Sequence, residues 1–312
     1  MLKTGVPAIA MTAIALAFAS PGSAQAQTAA PAAAASAAPA SPHTFTGNVG
    51  LFSQYIFRGL TQTDGKAALQ GGFDYSHSSG FYLGTWGSNV SWFNETNVGT
   101  IPAPIPLATP AGAGAPFVAN KSNNNSLELD FYGGWKNTWG DWGLDVGLLQ
   151  YYYPGTYNNL AGLYSKPNTL EAYIAGSWKW LSLKYSDSLH DTFGVKNSKG
   201  SSYIDLTASI PLGESGFTLV GHAGRQSWKG TSPAWAFGWG AATTLKNNAL
   251  NYTDYKLGLS KEWVGLNWSL MYTNTNTKAT ATDNAVTGAV WQNVYGKDIG
   301  KSALTISVQK TF

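Results

Sequence analysis

The sequence predicts a membrane-spanning, up-and-down antiparallel β-barrel of about twelve strands. Three observations predict it: about twelve segments alternate apolar and polar side chains, short turns alternate with long loops, and an export signal precedes them. Strict alternation gives a strand one apolar face and one polar face. A closed barrel in a bilayer accommodates both faces, because the outer face contacts lipid and the inner face contacts water.

The first 26 residues have the features of a secretory signal peptide. Lys3 precedes the apolar run from Val6 to Phe18, and Ala24-Gln25-Ala26 forms a cleavage site of the A-x-A type. The apolar run is shorter than the roughly 20 residues that a spanning helix needs. Residues 27–43 are rich in Ala, Pro and Ser, which predicts a disordered leader. We therefore expect a signal peptide over residues 1–26, a leader over 27–43 and one barrel domain over 44–312.

Composition favours a membrane barrel and excludes several classes of protein. Charged residues make up 11% of the chain and aromatic residues 13%. Few soluble domains are so poor in charge, whereas the lipid-facing half of a barrel carries almost none. The formal net charge of +3 is too small to indicate nucleic-acid binding. The chain has no cysteine, so disulfides and Cys-ligated metal sites are excluded.

The strand-like segments follow one another without a convincing helical interruption. The first segment has Tyr55 and Phe57 in phase with the apolar face and Arg58 on the polar face, whereas the third has no clear phase because Trp86 and Leu83 point to opposite sides. The predicted strands are Phe45–Gly59, Ala67–His77, Phe81–Ser91, Leu127–Trp135, Asp141–Tyr153, Thr169–Lys179, Leu181–Ser186, Tyr203–Ile210, Phe217–Gln226, Asn251–Ser260, Leu266–Thr273 and Ser302–Phe312.

The connections between these segments alternate in length. Tight links such as Ser78-Ser79-Gly80 and Glu262 to Gly265 alternate with long ones such as Trp92 to Ser126 and Trp228 to Leu250. Short turns at one end and long loops at the other are typical of an up-and-down barrel with an even strand number and both termini at the periplasmic end. A soluble Greek-key sandwich, the competing fold, has no reason to produce this alternation.

The last strand has the pattern that bacterial outer-membrane barrels present at their carboxyl end. Leu304, Ile306, Val308 and Phe312 share its apolar face, and Ala303, Thr305, Ser307, Gln309 and Thr311 form its polar face. An aromatic terminal residue on such a strand resembles the assembly signal of these proteins. This resemblance implies contact with the barrel-assembly machinery and a location in the outer membrane of a Gram-negative bacterium.

Several peptides resemble one known family. They are Tyr55-Ile-Phe-Arg-Gly59, Gly80-Phe-Tyr-Leu-Gly-Thr-Trp-Gly-Ser-Asn-Val90, Glu128-Leu-Asp-Phe-Tyr-Gly-Gly134, Tyr151-Tyr-Tyr-Pro-Gly155 and Thr253-Asp-Tyr-Lys-Leu-Gly-Leu-Ser260. Together they resemble the TorF porin family over essentially the region from Thr44 to Phe312. The resemblance implies an outer-membrane channel and supplies no catalytic or ligand residues. Two departures are the long Gly99 to Pro116 loop and Lys310, which occupies a usually apolar position and can extend to the head groups.

Charged side chains on the polar faces are the candidate pore-lining residues. In an open lumen they bias the passage of ions and solutes through their local field. In the competing interpretation they pair across neighbouring strands and plug a small barrel, and about twelve strands permit either outcome. Carboxylates outnumber cations, so we expect a weak cation preference that neutralising Glu128, Asp130 and Glu171 together would lower. The candidates are Arg58, Asp74, Glu128, Asp130, Asp145, Glu171, Lys179, Lys184, Asp205, Asp254 and Lys256.

A catalytic function is the least supported interpretation. Barrel hydrolases need a nucleophile and a histidine within hydrogen-bond reach at one rim. Only His190-Asp191 with Ser186 and Ser188 nearby has a suitable position. The aromatic residues Tyr151-Tyr152-Tyr153, Trp178, Trp180, Trp263 and Trp268 favour interfacial girdles over a sugar site.

The expected function is therefore passive diffusion of small hydrophilic solutes or ions, without a cofactor or a metal. A closed structural or surface-binding barrel is the alternative, and a rim hydrolase is third. Membrane lipid is an expected partner, nucleic acid is not, and the oligomeric state is open.

Overall fold

The computed structural model describes residues 41–96, 125–155, 166–233, 244–278, 281–283, 286–288, 291–293 and 297–312. The expected signal peptide, nearly all of the expected leader and the Gly99–Pro116 loop lie outside the described residues. In chain order the strands are β1 (His43–Phe52), β2 (Ile56–Phe57), β3 (Leu60–Thr61), β4 (Ala68–His77), β5 (Phe81–Asn89), β6 (Leu127–Trp139), β7 (Trp142–Tyr152), β8 (Thr169–Trp178), β9 (Leu181–Ser188), β10 (Ser202–Pro211), β11 (Phe217–Ser227), β12 (Thr231–Pro233), β13 (Thr244–Lys246), β14 (Tyr252–Trp263), β15 (Leu266–Thr275), β16 (Ala281–Asp283), β17 (Val286–Gly288) and β18 (Ala303–Thr311).

Twelve of these strands form one closed barrel. Around the barrel the order is β1, β18, β15, β14, β11, β10, β9, β8, β7, β6, β5 and β4, and neighbouring strands are antiparallel. The other six pair as β2–β3, β12–β13 and β16–β17. A single helix, α1 (Trp92–Thr96), and 3₁₀ turns at Gly213–Ser215 and Asn247–Leu250 complete the described elements. The predicted up-and-down barrel of about twelve strands is confirmed.

Each barrel strand has an inner and an outer face because successive side chains point to opposite sides. On β8, Thr169, Glu171 and Tyr173 are buried on the inner face, whereas Ile174 and Trp178 are exposed on the outer face. Every barrel strand exposes at least one large apolar side chain outward. Such an apolar belt would be an aggregation liability in water and is what the hydrocarbon core of a bilayer requires.

The connections alternate in length as the sequence predicts. Short turns join β4 to β5, β6 to β7, β8 to β9, β10 to β11 and β14 to β15, and long connections lie at the opposite end. We call these the short-turn end and the long-loop end. Between β14 and β15, Val264 and Gly265 have φ of 53° and 67°, the positive pair of a type I′ hairpin turn. The first residue of β1 and the last residue of β18 both lie at the short-turn end.

Two sequence predictions are wrong at strand boundaries. The first strand ends at Phe52, not Gly59, and Tyr55 is 2% exposed inside the barrel and not on the lipid face. Its phenol finds a carboxylate partner there, which lipid would not provide. Lys179 does not face the lumen: it lies in the turn after β8 with φ of 53°, and its Nζ is 3.7 Å from Asp141.

The strand whose phase the sequence left open is resolved by the structure. On β5, Tyr82, Trp86 and Ser88 are buried inside, and Phe81 and Leu83 are exposed outside. A tryptophan on the inner face obscured the apolar pattern. No helix in the described ranges is long and apolar enough to cross a bilayer.

Candidate functional site in the barrel lumen

The connection between β1 and β4 folds into the lumen. We call residues 53–67 the inward hairpin, because they contain the paired strands β2 and β3. Arg58 and Gly59, with φ of 45° and 82°, form its turn. The Thr61 amide donates a hydrogen bond of 2.9 Å to the Ile299 carbonyl, which fastens the hairpin to the segment before β18.

Arg58 lies at the tip of the inward hairpin, and its side chain contacts the opposite wall of the barrel. Its Nη2 donates to both carboxylate oxygens of Glu171 on β8, at 2.8 and 3.0 Å, and its Nη1 donates to Gln226 Oε1 on β11 at 2.8 Å. The guanidinium carbon lies 4.3 Å from the centre of the Tyr203 ring on β10. In the order of the barrel these strands lie across from β1. The inward hairpin therefore crosses the lumen.

The hairpin also packs closely against the wall at its turn. A Cβ on Gly59 would lie 2.5 Å from Asp254 Cβ on β14 and 2.5 Å from Thr275 Cγ2 on β15. The Phe57 ring contacts the ring of Tyr151, with centroids 5.6 Å apart. Only glycine fits this close approach at this backbone conformation.

Burial and charge fix the protonation of Arg58 and Tyr55 in the inward hairpin. Burial opposes the charge of Arg58, but the Glu171 carboxylate outweighs it, so the pKa of Arg58 is raised above its usual value. Burial raises the pKa of the Tyr55 phenol well above its usual value, and the Glu128 charge adds to this. Arg58 therefore stays cationic, and Tyr55 acts as a hydrogen-bond donor.

A group of buried carboxylates lies next to the hairpin. Glu128 on β6 accepts hydrogen bonds of 2.7 Å from both Tyr55 and Tyr153. Asp130, two residues along the same inner face, is 0% exposed. Within the described part of the chain, neither of its carboxylate oxygens has a hydrogen-bond partner. Asp130 also lies within the electrostatic reach of Glu128 and Glu171.

A second group of titratable side chains lies on the wall formed by β10, β11 and β14. His222 Nε2 is 2.9 Å from Asp254 Oδ1, and His222 Nδ1 is 3.2 Å from Asp205 Oδ1. The Tyr203 hydroxyl donates to Asp254 Oδ2 at 2.9 Å. These contacts join three strands through one imidazole between two carboxylates.

Tyrosines fill the inner face of the wall from β5 to β8. Tyr82 donates to Asp145 at 2.6 Å and is hydrogen-bonded to the Tyr173 hydroxyl. Tyr132 donates to Asp74 at 2.6 Å. Most carboxylates on this side thus have a phenol partner, which makes Asp130 the exception in this region.

The opposite wall is lined by small polar side chains. Ser269 and Ser307 on β15 and β18 share a hydrogen bond of 2.6 Å. Asn267 Oδ1 and Thr305 Oγ1 on the same inner faces have no partner among the residues described. Polar atoms in such positions require water or a solute to satisfy them. This side of the lumen is therefore hydrophilic.

The structure places most of the predicted pore-lining residues inside the barrel. All except Lys179 lie on inner strand faces or on the inward hairpin. That they line a conducting path stays a prediction. Lys184 lies with its Nζ 3.9 Å from the centre of the Tyr173 ring. The residues inside are Arg58, Asp74, Glu128, Asp130, Asp145, Glu171, Lys184, Asp205, Asp254 and Lys256.

Sequence reasoning missed several partners of these residues. Tyr55 was assigned to lipid, and Tyr151 and Tyr153 to an interfacial girdle, although all three are buried in the lumen. The parity of β11 places His222 and Gln226 inside, but small residues on its outer face, such as Gly221, weakened the alternation.

Among the described residues, no hydrogen bond joins a serine hydroxyl to His190 at the rim position proposed for a hydrolase. Ser188 is 1% exposed and, within the described ranges, its hydroxyl has no hydrogen-bond partner. His190 lies at a cavity of about 450 Å³ lined by Lys166, Asn168, His190, Asp191 and Lys199. Among the residues that the structure describes, no three His, Cys, Asp or Glu side chains form a group that could hold a metal ion.

The fold and the lumen define a closed twelve-stranded β-barrel with an apolar exterior, a charged and hydroxyl-lined interior and an inward hairpin. The family model described as a bacterial protein of unknown function (Gcw_chp) matches residues 36–312, and the chain belongs to that family.

Comparison with solved structures finds other barrels at low similarity. The KdgM porin in complex with disordered oligogalacturonate has 7% identity and a TM-score of 0.43, over 86% of this chain and 99% of that one. The anion-selective porin from Comamonas acidovorans has 14% identity and a TM-score of 0.33, over 86% and 99%. At these values the similarity does not identify a function. No curated protein matches the chain in sequence.

Proposed function

We propose that this protein is an outer-membrane channel of a Gram-negative bacterium, through which small hydrophilic solutes or ions diffuse passively. The inward hairpin narrows the path at the long-loop end, so the channel conducts little in its resting form. The peptides that resemble the TorF porin family agree with this proposal.

One observation carries the proposal: the inner wall holds polar atoms that no group in the described residues satisfies. Asp130, Asn267 and Thr305 all have such atoms among the described residues, and all lie on inner strand faces. A barrel that served only as a scaffold would gain stability from apolar side chains at these positions. Among the described residues these atoms are enclosed, and water or a solute that enters the lumen would satisfy them.

The charge of the lumen supports a preference for cations. Seven carboxylates face inward, whereas the lysine and arginine side chains inside are Arg58, Lys136, Lys184 and Lys256. Acidic linings attract cations and repel anions through the local field. The preference is weak, because Arg58 and His222 already interact with three of these carboxylates.

The test is conductance of the purified, refolded protein in a planar bilayer, with solute flux into liposomes alongside. We expect small unitary steps and a reversal potential in a salt gradient that indicates cation preference. Neutralising Glu128, Asp130 and Glu171 together should move the reversal potential towards zero. An absence of both steps and flux would reject the channel.

The second candidate is a closed barrel with a structural or surface-binding role. The observation that favours it is the inward hairpin, which crosses the lumen and pairs Arg58 with Glu171. A closed barrel would show no conductance even after the hairpin is released. The two functions therefore give opposite results in the Arg58→Ala variant described below.

Export and assembly complete the proposal. Residues 1–26 act as a cleaved signal peptide and residues 27–43 as a leader. Strand β18 presents Leu304, Ile306, Val308 and Phe312 to lipid and to the barrel-assembly machinery. The protein is not an enzyme in this proposal and needs no cofactor.

A further inference from the structure

Asp130 is a buried carboxylate that has no hydrogen-bond partner in the part of the chain that the structure describes. Its side chain faces the lumen from β6, between Trp86 on β5 and Tyr151 on β7, which are its directly paired neighbours across the two strand registers. Both aromatic side chains are themselves buried, with 4% and 1% of their surface exposed. Tyr55 of the inward hairpin packs on Trp86 with ring centroids 5.6 Å apart.

The carboxylates around Asp130 are not balanced by the cations described nearby. Arg58 pairs with Glu171, and Glu128 receives two phenol hydrogen bonds that leave its charge in place. The region thus holds three carboxylates against the charges of Arg58 and of Lys184, which interacts with Glu171. Burying an unpaired charge costs several kcal/mol, so a counter-charge or a proton is required.

We propose that Asp130, flanked by Trp86 and Tyr151, forms a binding site for a monovalent cation beside the inward hairpin. Its ligand class is an alkali ion or an alkylammonium group. The carboxylate supplies the opposite charge, and aromatic rings next to it favour cations that have lost part of their water. The cation enters from the lumen when the hairpin shifts and uncovers the Tyr55 side of the site.

The chemistry of the surroundings argues against a chelated divalent metal. The described residues contain no His, Cys, Asp and Glu group of three that could hold one. A monovalent cation needs only one carboxylate, and because Asp130 is 0% exposed, the water that completes its shell enters with it when the hairpin shifts. The proposal deepens the proposed channel function and rests on it for its role in permeation, but binding itself does not require conduction.

The first experiment measures the heat-unfolding midpoint of the purified barrel in detergent while potassium replaces N-methylglucamine at constant ionic strength. Binding to the folded state stabilises it by mass action. We expect the midpoint of the unaltered protein to rise with potassium by a few °C over a hundredfold range. Tetramethylammonium in place of potassium separates an alkali site from an alkylammonium site.

Matched variants assign the effect to this carboxylate. Asp130→Asn should remove the potassium dependence, whereas Asp74→Asn, which removes the same charge from a carboxylate bonded to Tyr132, should retain it. Asp130→Ser is the second neutral variant if the asparagine variant folds poorly. A midpoint of the unaltered protein that does not respond to any of these cations overturns the proposal, as does an equal response in Asp130→Asn. Either result fits an Asp130 that carries a proton.

Conductance separates failure of the site from failure of the channel. If the barrel conducts but shows no cation-dependent midpoint, the site is rejected and the channel remains. If the midpoint responds but the barrel does not conduct, the site stands as a binding site and the channel is rejected. If both hold, the conductance of the unaltered protein should saturate with potassium at lower concentration than that of Asp130→Asn.

Discussion

At the scale of single residues, the choice of arginine at position 58 explains how the hairpin is held. The chain contains two arginines, Arg58 and Arg225, and only Arg58 is inside the barrel. A guanidinium bonds both oxygens of one carboxylate and also stacks on an aromatic ring, which a lysine cannot do together. The side chains of Arg58 and Glu171 are 7% and 2% exposed. Breaking such a buried pair from one side costs about 3–5 kcal/mol.

We therefore predict that Arg58→Ala enlarges the conductance and destabilises the folded protein. The hairpin loses its contacts with β8 and β11, and the lumen opens at the long-loop end. The readouts are unitary conductance in a planar bilayer and the free energy of unfolding, which should fall by about 3–5 kcal/mol.

Arg225→Ala is the matched control for this prediction. Arg225 is exposed on the outer face of β11, where it donates to Thr253 Oγ1 at 3.3 Å, so its loss should leave conductance unchanged. The conductance of Arg58→Lys should fall between that of the unaltered protein and that of Arg58→Ala. If the conductance of Arg58→Ala equals that of the unaltered protein, the hairpin does not restrict the path.

Residue parity was predictable from the sequence, but residue partners were not. Alternation placed Glu128, Asp130 and Glu171 on inner faces, because the phase of a strand is a local property. The partners of Glu128 and Glu171 come from the hairpin, which is more than 70 residues away along the chain. Lys179 shows the limit of parity, since a turn at φ of 53° takes its side chain out of the strand pattern.

At the scale of elements, the sequence did not reveal the inward hairpin. Residues 53–59 continue the apolar and polar alternation of β1, so pattern alone extends the strand. The chain leaves the wall after Phe52 and reverses at Arg58 and Gly59, which have positive φ, and the partners of Arg58 lie across the lumen. The long strands were predictable, since each meets lipid on one face along its whole length.

The hairpin turn gives a second prediction, based on a pair of glycines. Gly59 and Gly65 have similar φ of 82° and 74°, but a Cβ at Gly59 would meet Asp254 and Thr275 at 2.5 Å, whereas a Cβ at Gly65 would have nothing within 4 Å. Gly59→Ala should displace the hairpin and raise conductance. Gly65→Ala should carry a comparable backbone cost of about 1 kcal/mol without that effect.

Unitary conductance and limited proteolysis of the hairpin check this pair of variants. A displaced hairpin should be cut faster in Gly59→Ala than in Gly65→Ala. Equal conductance and equal cleavage in the two variants would show that the close approach to β14 and β15 does not hold the hairpin in place.

At the scale of the whole molecule, closure and surface chemistry belong together. The join between β1 and β18 removes the last free strand edges, so all wall strands have two neighbours. Backbone groups are then satisfied within the protein, which a bilayer demands. The sequence predicted this closure from the alternation of short turns and long loops, which is typical of an up-and-down barrel with an even strand number and both termini at the periplasmic end.

The closing strand gives the last prediction, which concerns assembly. Phe312 is 66% exposed, its backbone exchanges hydrogen bonds of 2.7 and 2.9 Å with Gly47, and its ring contacts Phe73. If β18 presents Phe312 to the assembly machinery, Phe312→Ala should lower the heat-modifiable, folded fraction in the outer membrane of cells. Phe45→Ala is the matched control, because Phe45 is 74% exposed at the same end of the barrel. Both variants should refold equally well from urea into detergent, since neither side chain is buried. A folded fraction in cells that is equal for the two variants would show that Phe312 has no role in assembly. If Phe312→Ala loses as much folded protein on refolding in detergent as it does in cells, its effect belongs to stability and not to assembly.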